Sequence, residues 1–189
     1  LENAAVVVAA SGGSTNAALH LPAIANEAGI NFTLDDVTKI SKKTPYIADL
    51  KPGGKYVAKD LYEIGGVPIL IKALLDGGLL HEDCMTVTGK TLGENHKNIV
   101  FPSNQKIIYK TSKPLSPNGG FVGLKGNLAP EGAIVKVAGM KRRKFIGKAK
   151  CFDGEPSALK AVLDRKIKSG DVIVIRYEGP KGSPGMPEM

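Results

Sequence analysis

The fold turns on Gly119-Gly120-Phe121-Val122-Gly123-Leu124-Lys125-Gly126-Asn127-Leu128-Ala129-Pro130-Glu131-Gly132-Ala133-Ile134-Val135-Lys136-Val137. Two short apolar runs, residues 121–124 and 133–137, flank a Gly- and Pro-bearing stretch, the pattern of strands rather than of a helix. Similar β-like runs recur at residues 106–110, 145–152 and 171–177, with Pro114, Pro117 and Pro130 between them. One helix interrupts, at residues 155–166, with Pro156 in its first turn and Leu159, Val162 and Leu163 on a common face. Before about Asn98 the texture is helical. The boundary therefore falls near residues 99–105, dividing a helix-rich part, 1–104, from a β-barrel or sandwich with a covering helix, 105–189.

In the helical part, an apolar segment at residues 4–10 is broken by Gly12-Gly13. Ser14 or Thr15 can cap a second helix that carries Ala17, Ala18, Leu21, Ile24 and Ala25 on one side and stops at Gly29. Thr33 and Asp36 have the spacing of a capping box for a helix through Ile40, and Pro45 closes that region. Residues 56–64 read as a helix stopped by Gly65-Gly66. Residues 67–75 read as another, with Pro68 in its first turn and Leu70, Leu74 and Leu75 as its apolar face.

The bulk numbers narrow the class. The chain has 189 residues, 42% hydrophobic and 23% charged, which is ordinary for a globular protein. No apolar run approaches the ~18 residues of a membrane span. Leu1 is not an initiator, the first residues do not form a signal peptide, and the chain stops two residues after Pro187. It reads as an internal fragment. Cys84 and Cys151 read as two reduced, buried thiols of a cytosolic protein. A net charge of +8 invites a basic nucleic-acid-binding module as an alternative function. The densest cluster, Lys141-Arg142-Arg143-Lys144, is better explained as a hairpin tip, because no aromatic residues interleave with it to stack on bases.

Gly12-Gly13-Ser14-Thr15-Asn16 is a Gly-rich turn at a helix start. It suits a phosphate or carboxylate, or it is a plain turn with a Ser/Thr cap. Thr86-Val87-Thr88-Gly89-Lys90-Thr91 only looks like a P-loop, because Cys84 stands where the first glycine would be. His20, His81 and His96 lack metal-ligand spacing, and His20 reads as a packing residue. The apolar run Val172-Ile173-Val174-Ile175 reads as a buried strand. It enters a Gly/Pro-rich loop that carries Glu188, which on its residues alone reads as a solvated carboxylate or a ligand for a hard cation.

Six motifs resemble the dihydroxy-acid/phosphogluconate dehydratase family, in the family's order: Gly12-Gly13-Ser14-Thr15-Asn16-Ala17, Ala48-Asp49-Leu50-Lys51-Pro52-Gly53-Gly54-Lys55-Tyr56, Gly65-Gly66-Val67-Pro68, Cys84-Met85-Thr86-Val87-Thr88-Gly89-Lys90-Thr91, Gly126-Asn127-Leu128-Ala129-Pro130-Glu131-Gly132, and Tyr177-Glu178-Gly179-Pro180 with Pro184-Gly185-Met186-Pro187-Glu188-Met189. The third-last of these, around Asp83-Cys84-Met85, is most like the branched-chain members, and sugar-acid (aldonate) dehydratases share much of it.

The resemblance implies an α/β fold: the helix-rich later part of an α/β N-terminal domain, then an incomplete swivelling β-barrel (β/β/α) C-terminal domain. It implies dehydration of 2,3-dihydroxy carboxylic acids to 2-oxo acids in valine and isoleucine biosynthesis, with sugar-acid dehydration as the alternative. It implies an iron–sulfur cluster, of the 2Fe-2S type, as Lewis acid and Mg²⁺ holding the substrate. The family's cluster cysteines and its other Mg²⁺ ligands would lie before Leu1, and its serine base beyond Met189. No catalytic residue is then expected in this chain, and the chain alone is expected to be inactive. Glu188, in its Pro-Glu-Met context, is implied as a Mg²⁺ ligand, and the helix start at Ser14, Thr15 and Asn16 makes these the expected substrate-binding residues. The expected partner is a small dihydroxy acid, with no membrane and no nucleic acid, in a cytoplasmic homodimer or homotetramer.

Overall fold

The structure is a computed structural model that describes residues 1–141 and 144–179. Contacts divide the chain into two compact units, Leu1–Lys141 and Arg142–Met189. The first holds α1 (Glu2–Ser11), α2 (Ala17–Glu27), α3 (Leu34–Lys43), α4 (Ala58–Glu63), α5 (Val67–Asp76), α6 (Leu92–His96), β1 (Phe121–Leu124) and β2 (Ala133–Lys136).

Helix α1 is apolar nearly all round, as a central helix must be. Val6 and Ala10 join one core cluster with Ile47, Leu70, Leu74 and Ile108. Ala5 and Ala9 join a second with Ala18, Ala25, Phe32, Val37 and Phe121. The buried segment at residues 46–48 threads the first cluster: Ile47 N–H donates to the Ala10 carbonyl at 2.9 Å, and Tyr109 N–H to the Ile47 carbonyl at 2.8 Å. β1 and β2 pair antiparallel, with Phe121 opposite Lys136 and Leu124 opposite Ala133. Ser41 of α3 donates its hydroxyl to the Phe121 carbonyl at 2.6 Å, which fastens the hairpin to the helices.

The second unit is a βαβ: β3 (Lys148–Asp153), α7 (Glu155–Leu163) and β4 (Asp171–Arg176). β3 and β4 run parallel in register from Lys148 opposite Asp171 to Asp153 opposite Arg176. The crossover helix turns Ala158 and Ala161 inward, which is the connection a parallel pair requires.

Several expectations change. Residues 106–110 form no strand; a single bridge joins Ala48 to Ile108. The Gln105 amide oxygen accepts from the N–H groups of Ile107 and Ile108, at 2.7 and 2.8 Å, and the backbone pairing beside it is short: Asp49 N–H to the Ile107 carbonyl and Tyr109 N–H to the Ile47 carbonyl, both at 2.8 Å. On α2 the packing stripe is Ala18, Leu21 and Ala25; Ile24 falls one position off it and is 57% exposed. α3 continues to Lys43, one residue before Thr44 turns extended ahead of Pro45. α7 ends at Leu163 rather than Lys166, and Arg165 is left-handed. The run at 172–175 is half-buried, with Ile173 41% exposed, because one face of a two-stranded sheet has one helix to cover it. Cys84 and Cys151 are free but exposed, and His20 is exposed rather than packed. The helix α6 was not anticipated, although Thr91 and Glu94 form its capping box at 2.7 and 3.1 Å, a signal the sequence carries. Arg142 and Arg143 of the basic cluster lie outside the described residues.

Candidate functional site

The turn between α1 and α2 carries the residues the sequence singles out. Gly12 ends α1 in the left-handed region, φ 63°, a conformation costly for other residues. Ser14 is exposed, Thr15 half-buried and Asn16 exposed. The Ser14 hydroxyl accepts from Asn16 N–H at 3.2 Å. Ala17 N–H donates to the Ser14 carbonyl at 3.2 Å and Ala18 N–H to the Thr15 carbonyl at 3.0 Å. The turn thus satisfies early donors of α2 internally, and a ligand there would meet the dipole and the side chains more than bare N–H groups.

Around this turn the fold gathers segments distant in sequence. A Cβ at Gly120 would lie 2.6 Å from the Gly12 Cα, and one at Gly53 would lie 3.0 Å from the Ala138 Cβ. Two of the quoted motifs, at residues 12–17 and 48–56, therefore meet with Gly119-Gly120 and Ala138-Gly139 at a junction built of backbone. Asp49 is buried there. Its carboxylate accepts from Lys55 N–H at 3.0 Å, closing the turn that presents Lys51 and Gly53-Gly54.

Tyr46 lies under the junction. A Cβ on Gly12 would come within 2.7 Å of its ring. Its hydroxyl is buried with no hydrogen-bond partner among the described residues. Burial first, and the Asp49 carboxylate second, push this phenol above its ordinary value, so it stays a neutral donor at neutral pH. Sequence reading missed Tyr46, Gly119-Gly120 and Ala138-Gly139. The paired glycines were visible as turn signals, but nothing in one sequence says that two turns touch.

A separate cleft of about 620 Å³ beside α5 and α6 carries mixed charge from Lys72, Asp76, Glu82 and Glu94, with His96 in its wall, and Ser14, Thr15 and Asn16 do not line it. Among the described residues no three His, Cys, Asp or Glu side chains gather as a metal site. Cys84 belongs to the first compact unit and Cys151 to the second, so neither has a second thiol in its own unit. Glu188 lies outside the described residues.

Comparison with known proteins accounts for both halves of the chain. Residues 1–95 match the dihydroxy-acid/6-phosphogluconate dehydratase N-terminal family and residues 106–189 its C-terminal counterpart. Dihydroxy-acid dehydratase 2 of Bradyrhizobium diazoefficiens is 65% identical over 189 residues, all of this chain and 33% of that protein. Dihydroxy-acid dehydratase of Pelagibacter ubique is 67% identical over the same length, again 33% of that protein. Dihydroxy-acid dehydratase of Saccharolobus islandicus is 55% identical over 190 residues. The chain spans about a third of the length of these curated relatives. The two family matches, in order and between them spanning nearly every residue, show that this chain belongs to the dihydroxy-acid/6-phosphogluconate dehydratase family.

Proposed function

We propose that a full-length protein containing this chain is a dihydroxy-acid dehydratase, a hydro-lyase that converts 2,3-dihydroxy carboxylic acids to 2-oxo acids in valine and isoleucine biosynthesis. The supporting observation is 65% identity across all 189 residues to a protein of that name, through both halves of the family. In this reading residues 1–104 belong to the later part of the N-terminal domain and residues 105–189 open the swivelling C-terminal β-barrel. Ser14, Thr15 and Asn16 line the substrate site from the start of α2, and Glu188 is a Mg²⁺ ligand. The protein is cytoplasmic and works as a homodimer or homotetramer. Among the described residues no three His, Cys, Asp or Glu side chains gather, and the resemblance assigns most of the ligands for an iron–sulfur cluster and Mg²⁺, and the base, to sequence other than these residues. What the chain itself supplies is the junction that fixes the motif loops against one another.

The test is an assay of the full-length protein on 2,3-dihydroxy-3-methylbutanoate and on aldonates. A higher kcat/KM on the former is expected, with turnover lost in Glu188→Gln and no turnover by the 189-residue chain alone. A preference for aldonates would move the assignment to the sugar-acid branch, and failure to dehydrate either class would overturn it.

A further inference from the structure

β4 does not run straight on into the segment that follows it. Tyr177, the residue after the strand, has φ 63°, an outlier for a bulky side chain. Such strain persists only where the surroundings over-determine it. Four contacts do so here. Gly154 N–H donates to the Arg176 carbonyl at 3.0 Å. The Arg176 guanidinium holds the Asp153 carboxylate through Nε at 2.8 Å and Nη2 at 2.5 Å, and lies 5.2 Å from the centre of the Tyr177 ring. The Glu178 carboxylate accepts from the N–H of Glu155, the first residue of α7.

Helix α7 has no side-chain cap of its own, because Gly154 occupies its N-cap position. The donors at a helix start need partners, and a carboxylate there gains a charge-assisted bond in a favourable dipole. A serine or aspartate at position 154 would serve a helix that merely needed capping. Here the cap comes from 23 residues downstream, which joins the start of the helix to the exit of the strand.

We propose that Glu178 is a positioning residue: its bond to α7 fixes the direction in which the chain leaves β4 on its way to Glu188. The purpose of that direction rests on the reading of Glu188 as a metal ligand, whereas the latch itself does not.

The test is solution NMR on the 189-residue chain, reading exchange of the Glu155 amide and ¹⁵N relaxation at Gly179. Glu178→Ala should speed Glu155 exchange by about 3–30-fold and lower the order of Gly179. Glu178→Gln, which keeps an acceptor oxygen, should retain that order. Ser157→Ala removes a different contact at the same helix start, the hydroxyl that donates to the Asp153 and Gly154 carbonyls at 3.0 and 2.9 Å; it should loosen α7 and leave Gly179 unchanged. Unchanged order at Gly179 in Glu178→Ala, or an equal loss in Ser157→Ala, would overturn the proposal. If Glu178→Ala fails to fold, Glu178→Gln decides: loss of order at Gly179 while the Glu155 amide stays protected refutes the latch. No metal or turnover enters these readouts, so they stand or fall apart from the dehydratase reading.

Discussion

The two units are held together by different means. The first seals two apolar clusters on either side of α1, with Ala5, Ala9, Ala10, Ile47 and Leu74 at 0% exposure. The buried residues described in the second are Ala158 and Ala161. Both units carry ion pairs, such as Lys72 with Asp76 and Lys125 with Asp35 in the first, but in the second they stand beside this small buried core: Lys150 with Asp171, Arg176 with Asp153, and Lys160 and Lys166 with Asp164. Parallel strands are ordinarily covered on both faces, yet Ile173 remains 41% exposed. The comparison teaches where rigidity resides. The first unit owes it to burial, which fixes the motif loops at the glycine junction. The second owes it to polar latches at the ends of its elements, where solvent competes.

The largest expected effect attacks the burial side. Phe121 is 2% exposed in the second cluster, and its carbonyl is held by Ser41. Phe121→Ala should cost about 3–5 kcal/mol, the usual range for emptying such a site. Denaturant titration measures it. A loss below about 1 kcal/mol would mean that burial does not carry the first unit, and the contrast between the units would fail.

A smaller effect of opposite sign is expected at Tyr46. Its ring fills space against Gly12, but its hydroxyl is buried without a partner among the described residues. Leaving such a group unpaired costs about 1–3 kcal/mol, so Tyr46→Phe should stabilise the first unit by about 1 kcal/mol, read as a rise in Tm. A fall in Tm would show that the hydroxyl has a partner in solution and that the junction is polar at its centre.

Much of this contrast was legible beforehand. The capping pair Thr33 and Asp36 and the stop at Gly12 are local chemistry, and the helices begin and end close to where those residues predict. β1, β2 and β4 also fall within the runs that announce them, while β3 starts inside its run and ends one residue beyond it, at Asp153. What was not legible depends on contacts between distant residues. The apolar run around Ile107 has strand chemistry, but Gln105 takes up the N–H groups of Ile107 and Ile108, and one bridge, Ala48 to Ile108, is all the pairing that forms there among the described residues. The burial of Cys84 and Cys151 was expected from residue type, and their positions in the fold expose them. The meeting of residues 12, 53, 120 and 138 has no local signature, and neither does Tyr46 beneath it.

Acid should separate the units in the second direction, with the smallest effect. The carboxyl of Asp171 is held below its ordinary value of 3.8 by the Lys150 ammonium first and the Lys168 N–H second. That of Asp164 is held down by Lys166 and then Lys160. A folded-state pKa below the unfolded one gives stability that is complete above the unfolded value and is lost as pH falls through the folded one. Between about pH 6 and 4 the second unit should therefore hold, and below that it should weaken as these carboxylates take up protons. In the first unit the carboxyl of Asp36 is lowered likewise by the N–H and hydroxyl of Thr33; its protonation loosens the start of α3 but leaves the apolar clusters untouched. Hydrogen-exchange protection factors should thus fall at β3 and β4 before β1 and β2. About 1 M salt at neutral pH should push in the same direction through Arg176 with Asp153 and Lys160 and Lys166 with Asp164, because exposed pairs are screened within a few ångströms, and less through the part-buried Lys150 with Asp171. Protection lost first at β1 and β2, or together in all four strands, would show that the two units share one source of stability.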